Sequence, residues 1–456
     1  MSLWVAVDFG STFTKAIAVD AGSGDLVARA EHRTTVDSDV MDGWHACRTA
    51  LLSADSGVAR AEVLACSSAG GGLRIGVVGN EELVTAEAGR RVALSSGGRV
   101  VAVINGGLTA TSLKALRAER PDVVLLLGGT DGGNSAVITN AAEVLAKYKW
   151  RRPVVAAGNV EARPAIRELL SAAKVPHVIA ANVVPEIGVF APDSARAAIR
   201  EMFLAHVIGG KNLSRDPGFA DLVRAATPDV VLRGVEVLAK LHGDVAVVDI
   251  GGATTDVHSV IELDPEDANL GREVVAPHPV TRTVEGDLGM RWSAVPVVGA
   301  GVEAGLLEAG TPLEAAAARR HEEPAFLPGD AVEASYDETL ARVAATVALR
   351  RHAGRQRVVF GPGGRVIERS GKDLREVDLL VGSGGVLRHN GPEVAARILG
   401  GISQGAQEEG WLVPTAARTC VDSDYVLAGV GLLAELDPKA AEGLAAHIHG
   451  TVGAGH

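Results

Sequence analysis

The chain has little that would tie it to a metal cluster, a membrane or nucleic acid. Its three cysteines, Cys47, Cys66 and Cys420, are far apart and form no Cys-x-x-Cys or Cys/His ligand spacing, so they read as reduced, structural thiols. No uninterrupted apolar run approaches the roughly 20 residues needed to span a bilayer, which excludes a membrane-spanning helix. The formal net charge of −12 argues against a nonspecific nucleic-acid binder, because binding a phosphate backbone needs concentrated Lys and Arg. The first residues enter a strand pattern with no basic segment followed by an apolar stretch, so no secretory signal and a cytoplasmic location are expected. No Gly-x-x-x-x-Gly-Lys-Ser/Thr sequence occurs, and a P-loop is excluded.

What remains is a globular composition. The 456 residues are 47% apolar, 22% charged and only 3% aromatic, with 55 glycines. That length allows roughly two to four domains, and small residues in such number suit helices packed closely on sheets.

The first segment reads as a meander of strands at residues 3–8, 14–19 and 26–31. A helix at 41–52 follows, with Trp44, Cys47 and Leu51 on one face, and then a strand at 62–67. From residue 99 to about 181 strands and helices alternate, which predicts a parallel, doubly wound unit. Residues 195–241 read as mostly helical. A second meander has strands at 244–250, 255–262 and 273–276; a helix through Tyr336, Leu340, Val343 and Val347 follows, then strands at 357–360 and 378–381. A last helix is expected at 423–436, followed by an Ala/Gly/His-rich tail. The domain expectation is therefore a first lobe at 1–95, an inserted α/β domain at 96–195 and a helical connection at 196–243. A second lobe at 244–422, a closing helix at 423–440 and a flexible tail at 441–456 complete it.

Two acidic, glycine-rich turns carry the chemistry: Asp8-Phe-Gly-Ser-Thr-Phe-Thr-Lys15 and Asp249-Ile-Gly-Gly-Ala-Thr-Thr-Asp256. Each lies between apolar runs and suits the turn of a β-hairpin. In such a turn glycine lets backbone N–H groups approach a phosphate, hydroxyls add donors, and the leading Asp can hold a hydrated divalent cation. The spacing of Asp8, Gly10, Ser11, Thr12 and Lys15 matches the phosphate-1 loop of the actin, Hsp70 and sugar-kinase superfamily. Asp249, Gly251, Gly252, Thr254, Thr255 and Asp256 match phosphate-2. A third piece, Gly382-Ser-Gly-Gly385, resembles the adenosine loop of the same superfamily. Lys15 can neutralise phosphate oxygens, Asp8, Asp249 and Asp256 can hold Mg²⁺ or polarise a water, and Thr254 is a further catalytic candidate. Gly299-Ala-Gly-Val-Glu-Ala304 fits a dinucleotide pattern, but Pro296 interrupts the strand that pattern needs. Leu127-Gly-Gly-Thr-Asp-Gly-Gly-Asn134, at the end of a parallel strand, is either a tight turn or an anion site, and Asn159 and Asn182 end the next two strands on the same edge.

These turns, together with Asn182-Val-Val-Pro-Glu-Ile187 and Arg282-Thr-Val-Glu-Gly-Asp-Leu-Gly-Met290, resemble the MutL/GlmL family, the accessory proteins of methylaspartate (glutamate) mutase. The resemblance implies two ribonuclease-H-like, actin-type ATPase lobes with an inserted doubly wound α/β domain. It implies ATP and Mg²⁺ as cofactors, subunits of an adenosylcobalamin-dependent mutase as partners, and a reactivase-like cycle in which hydrolysis opens and closes the lobes; a homodimer is compatible with it. The second turn also resembles hydantoinase and oxoprolinase subunits, and sugar kinases share the fold. The alternative is therefore an enzyme acting on its own small substrate.

Overall fold

A computed structural model describes residues 2–209, 213–216, 218–263, 277–361 and 364–448. The strand expected at 273–276 and the end of the tail lie outside the described residues. The chain divides into two compact units, one built mainly from Met1–Gly234 with Ala428–Leu444, the other mainly from Pro279–Leu427 with the segment that begins at Val235.

In the first unit β1 (Leu3–Phe9), β2 (Phe13–Asp20) and β3 (Leu26–Arg33) form an antiparallel meander. Helix α1 (Val40–Ala54) is started by the Asp39 carboxylate, which accepts the Met41 N–H, and it buries Trp44, Cys47 and Leu51 as the sequence predicts. Strand β4 (Glu62–Ser67) then pairs parallel to β1.

The chain next enters a separate parallel sheet. It runs β5 (Leu73–Val78), α2 (Glu87–Ser95), β6 (Gly98–Ile104), α3 (Ala110–Ala118), β7 (Val123–Leu126), α4 (Ala136–Lys147), β8 (Val154–Ala156), α5 (Arg163–Ala172) and β9 (His177–Ile179). The order is β6-β5-β7-β8-β9, and β7 is buried along its whole length, as a strand covered on both faces must be. This is the doubly wound insertion. The sequence reading begins it at residue 96, yet β5 lies ahead of that point and pairs with both β6 and β7.

Helices α6 (Asp193–Met202) and α7 (Gly218–Leu222) lead back to β10 (Val223–Ala226), which pairs parallel to β4, and α8 (Thr227–His242) follows. The sequence reading takes residues 223–226 as helix. Val-Arg-Ala-Ala is too short and alanine-rich to announce a strand, and pairing with β4 decides the matter.

In the second unit β11 (Val245–Ile250), β12 (Thr255–Val260) and β13 (Val280–Glu285) form another antiparallel meander. Helices α9 (Ala294–Glu303), α10 (Pro312–Glu322) and α11 (Ala331–His352) precede a hairpin of β14 (Arg355–Gly361) and β15 (Gly364–Ser370). Strand β16 (Leu379–Ser383) pairs parallel to β11, and after α12 (Gly385–Arg388) and α13 (Pro392–Gly400), β17 (Arg418–Val421) pairs parallel to β16. Leu340 and Val343 of α11 share a buried core with Val248 and Val257. Gly299 to Glu303, part of the dinucleotide-like segment, falls inside α9 and not at a strand end.

The two meander-bearing sheets have the same order, β3-β2-β1-β4-β10 and β13-β12-β11-β16-β17. They are the two ribonuclease-H-like, actin-type lobes. Helix α14 (Leu427–Leu433) is shorter than the expected closing helix, and α15 (Pro438–Ala445) stands where the sequence reading placed the start of a tail. In α15 buried alanines, Ala440, Ala441 and Ala445, make the packed face that the composition hides.

Candidate functional site

The two hairpins have the same backbone. In the first, Asp8 lies opposite Lys15 and Phe9 opposite Thr14, and the Gly10 N–H donates to the Phe13 carbonyl at 3.1 Å. In the second, Asp249 lies opposite Asp256 and Ile250 opposite Thr255, and the Gly251 N–H donates to the Thr254 carbonyl at 2.9 Å. The leading glycine is required by this turn. A Cβ on Gly10 would sit 2.5 Å from the Phe13 carbonyl oxygen, and one on Gly251 would sit 2.9 Å from that of Thr254. Gly252 is different: the nearest atom to a Cβ there is 3.9 Å away.

In the second hairpin the turn is tied down by the segment that follows β13. The Met290 N–H donates to the Gly251 carbonyl at 3.0 Å, the Arg291 N–H to that of Gly252 at 2.8 Å, and the Ser293 hydroxyl to that of Ala253 at 2.7 Å. The Thr255 hydroxyl returns a bond to the Leu288 carbonyl at 2.8 Å. Across a planar trans peptide the C=O of one residue and the N–H of the next point in opposite directions. Holding three carbonyls to the strap therefore turns the N–H groups of Gly252, Ala253 and Thr254 away from it, and none of the three has an acceptor among the described residues. Successive amides aimed one way form a nest for an anion.

In the first hairpin the Phe9 carbonyl accepts the Ser68 and Ala69 N–H groups, each at 3.0 Å, and the turn beyond it is held from Thr34. Thr34, just after β3, donates its hydroxyl to the Gly10 carbonyl at 2.8 Å and its N–H to the Thr12 carbonyl at 2.9 Å. This turns the Ser11 N–H outward, again without an acceptor among the described residues.

The acids differ more than the backbones. Asp8 is buried; its Oδ1 accepts the Thr227 hydroxyl at 2.5 Å, from the start of α8, and lies 3.6 Å from the Cys66 sulfur. Burial, and then the Asp8 charge, push the Cys66 thiol well above its usual range, which keeps it a neutral neighbour. Asp256 is held from β13: Arg282 donates Nε at 2.8 Å and Nη2 at 2.5 Å to its Oδ1, while the Thr254 hydroxyl donates to Oδ2 at 3.1 Å. His258, opposite Arg282 in the sheet, is buried, and burial and then the Arg282 charge hold its pKa well below the usual value.

Gly382 to Gly385 sit beside the second hairpin, since Ser383 pairs with Asp249 in register. Gly384 has φ +105, and a Cβ there would sit 2.2 Å from the Ile250 carbonyl oxygen, so glycine is needed for the loop to pass the hairpin. Gly385 faces open space apart from His389 at 3.8 Å. The second unit thus gathers Asp249, Gly251, Gly252, Thr254, Thr255, Asp256 and Gly382 to Gly385, and the first holds Asp8, Gly10, Ser11, Thr12 and Lys15.

The loop after β7 in the inserted sheet spends its polar groups internally. Asn159 donates to the Thr130 carbonyl at 2.7 Å, Asn182 donates to the Gly129 carbonyl at 3.0 Å and to Asp131 at 2.8 Å, and Asp131 also accepts the Val160 N–H at 2.9 Å. The edge glimpsed in the sequence is present as a knit set of loops.

Sequence reasoning missed Thr34, Thr227 and Ser293, and assigned no role to Arg282. All act across tertiary contacts; only Arg282 had a signal, since it opens the segment 282–290 that follows the second turn in the sequence resemblance.

The family model for MutL, described as MutL protein, matches residues 4–448. Protein MutL of Clostridium tetanomorphum is 34% identical over 447 residues, covering 95% of this chain and 96% of that protein. Among solved structures, a nucleotide-free acetone carboxylase aligns with TM-score 0.42 at 14% identity, over 95% of this chain and 70% of that one. The activator of 2-hydroxyisocaproyl-CoA dehydratase from Clostridium difficile, with bound ADPNP, aligns with TM-score 0.32 at 9% identity, over 96% of each chain. Likeness that low carries no functional argument.

Proposed function

The chain belongs to the MutL family, and from that premise we propose that it is an ATP-binding and ATP-hydrolysing accessory protein for an adenosylcobalamin-dependent glutamate mutase or a related mutase. The observation that carries this reading is the strapped second hairpin. Three amides, on Gly252, Ala253 and Thr254, are turned outward beside a glycine loop with room at Gly385. Phosphoryl oxygens suit the amides, and the Thr254 and Thr255 side chains frame the same turn. On this reading Lys15, with Ser11 and Thr12, serves phosphate from the first hairpin, and Gly382 to Gly385 leave room for the nucleoside.

Mg²⁺ would supply charge neutralisation on the transferring phosphoryl group. Among the described residues no three acidic, His or Cys side chains form a protein cage for a metal. Both Asp256 oxygens are already engaged, and Asp8 already accepts a hydroxyl. Asp249 and Asp256 therefore suit a hydrated ion touched through water better than one bound directly, and in its own lobe Asp8 does the same. Asp249 and Asp256, with Thr254, are the candidates to orient the attacking water.

A nucleotide can alter partner binding only through a difference in affinity between nucleotide states. The test is phosphate release from Mg²⁺·ATP by the purified chain, alone and with adenosylcobalamin-dependent glutamate mutase. Release without a phosphorylated or ring-opened product is expected, together with mutase binding that differs between ATP and ADP. No release in either setting would overturn the proposal.

A further inference from the structure

The Asp256–Arg282 pair joins the end of the phosphate-2 hairpin to the third strand of its sheet. Arg282 lies directly opposite His258, so it reaches Asp256 on the diagonal, one of the cross-strand directions available to a long side chain. Its side chain is 4% exposed, that of Asp256 16%, and two of its nitrogens converge on one carboxylate oxygen. The other oxygen takes the Thr254 hydroxyl, a side chain of the turn itself. Both torsions of the aspartate are thus fixed by groups on opposite sides. His258, held neutral by burial, adds no second cation to compete for that carboxylate.

We propose that Arg282 is a positioning residue for hydrolysis, holding the Asp256 carboxylate at the angle from which it orients the attacking water. This rests on the ATPase reading above. Arg282 does not touch the nucleotide; it acts through Asp256. A guanidinium is suited to the task because its planar fork fixes direction as well as charge, whereas a lysine ammonium supplies charge alone.

The experiment is a cycle of Asp256→Asn, Arg282→Lys, Arg282→Met and the Asp256→Asn/Arg282→Met pair in the full chain, with kcat, KM for Mg²⁺·ATP and melting temperature measured for each. Arg282→Lys should retain the wild-type melting temperature and a KM within about twofold, with kcat at least about tenfold lower, a transition-state loss without a binding loss. Arg282→Met leaves a half-buried carboxylate without its cation, and it can fail to fold. The paired substitution removes both charges and should restore folding, with kcat no lower than Asp256→Asn alone, as residues acting as one unit require. Wild-type kcat in Arg282→Lys, or a paired variant whose losses multiply, would overturn the role of Arg282 and leave the ATPase standing. A wild-type chain that releases no phosphate removes both.

Discussion

The two hairpins share register, turn bond and leading glycine, yet they are charged and anchored differently. Across β1, β2 and β3 the register sets Asp8, Lys15 and Glu31 side by side. In the other sheet Asp249 faces Asp256, and the cation, Arg282, comes from the third strand. One sheet has its lysine at the mouth of the turn; the other has its arginine behind an acid. The anchors differ too, with Thr34 and the Ser68 and Ala69 amides in one lobe and Leu288 to Ser293 leading into α9 in the other. A shared backbone thus carries a lysine in one lobe and two carboxylates, one of them held by Arg282, in the other.

The largest test of that contrast removes the acids. Asp249→Asn and Asp256→Asn should each lower kcat at least about 100-fold, the loss of a group that works on the transition state; Asp256→Asn should also lower the melting temperature, because it leaves the buried Arg282 without its counter-charge. Lys15→Met should act chiefly on KM for Mg²⁺·ATP. If Lys15→Met left KM intact and abolished kcat, the assignment of roles to the two turns would be reversed.

Next in size is the anchoring. Ser293→Ala removes the donor to the Ala253 and Gly286 carbonyls and should cost about 0.5–1.5 kcal/mol of stability, the net worth of an ordinary hydrogen bond, because both acceptors belong to exposed residues that water can reach. Thr227→Val removes the hydroxyl on the Asp8 carboxylate and should cost about 1.5–3 kcal/mol, the range for a bond to a charged group. Chemical denaturation measures both, and only Ser293→Ala should also weaken nucleotide binding.

The lobes should also differ with pH. Burial holds His258 and His352 of the second unit well below 6.5, so the unfolded chain takes up their protons first as pH falls. Their stabilising effect is complete above pH 6.5 and is lost below it. Burial pushes Cys47 of the first unit from 9.0 up to about 11, which works in the other direction: its contribution is complete below pH 9.0 and declines above it. Melting curves from pH 5 to 7 should show a slope that His352→Gln reduces and Cys47→Ala leaves unchanged.

The smallest effect separates two adjacent glycines. Gly251→Ala should destabilise the fold, since its Cβ would meet the Thr254 carbonyl at 2.9 Å. Gly252→Ala should leave melting unchanged and raise KM severalfold, because its Cβ enters open space where a phosphate is expected. Equal melting losses in both would place the second glycine in the turn's architecture instead.

Much of this was legible in the sequence because it is local. Alternating apolar residues and the Asp-x-Gly turns announced β1, β2, β11 and β12, and the 3.6-residue rhythm of Leu340, Val343 and Val347 announced α11. What escaped was decided by distant partners. β10 is four residues of Val, Arg and Ala that become a strand only beside β4, and β5 was passed over although it carries the inserted sheet's other strands on both sides. For the site, the turn residues were readable, but Thr34, Thr227 and Ser293 reach their targets from outside the turns. A hydroxyl far along the chain gives no sign of the carbonyl it will find.

The placement of the insertion has a practical consequence. It departs after Ser67 and returns at Val223, the ends of two strands that lie side by side, and in the second lobe the equivalent gap is crossed by residues 384–417 alone. The inserted segment is nonetheless no detachable module: Ile75, Val77, Phe203 and Leu213 share one core with Val5, Val7 and Phe9, and Phe219 meets Phe9 edge-on at 5.1 Å. A chain in which a crossover borrowed from the second lobe replaced residues 68–222 would keep all five strands of the first lobe but uncover the face that this shared core fills.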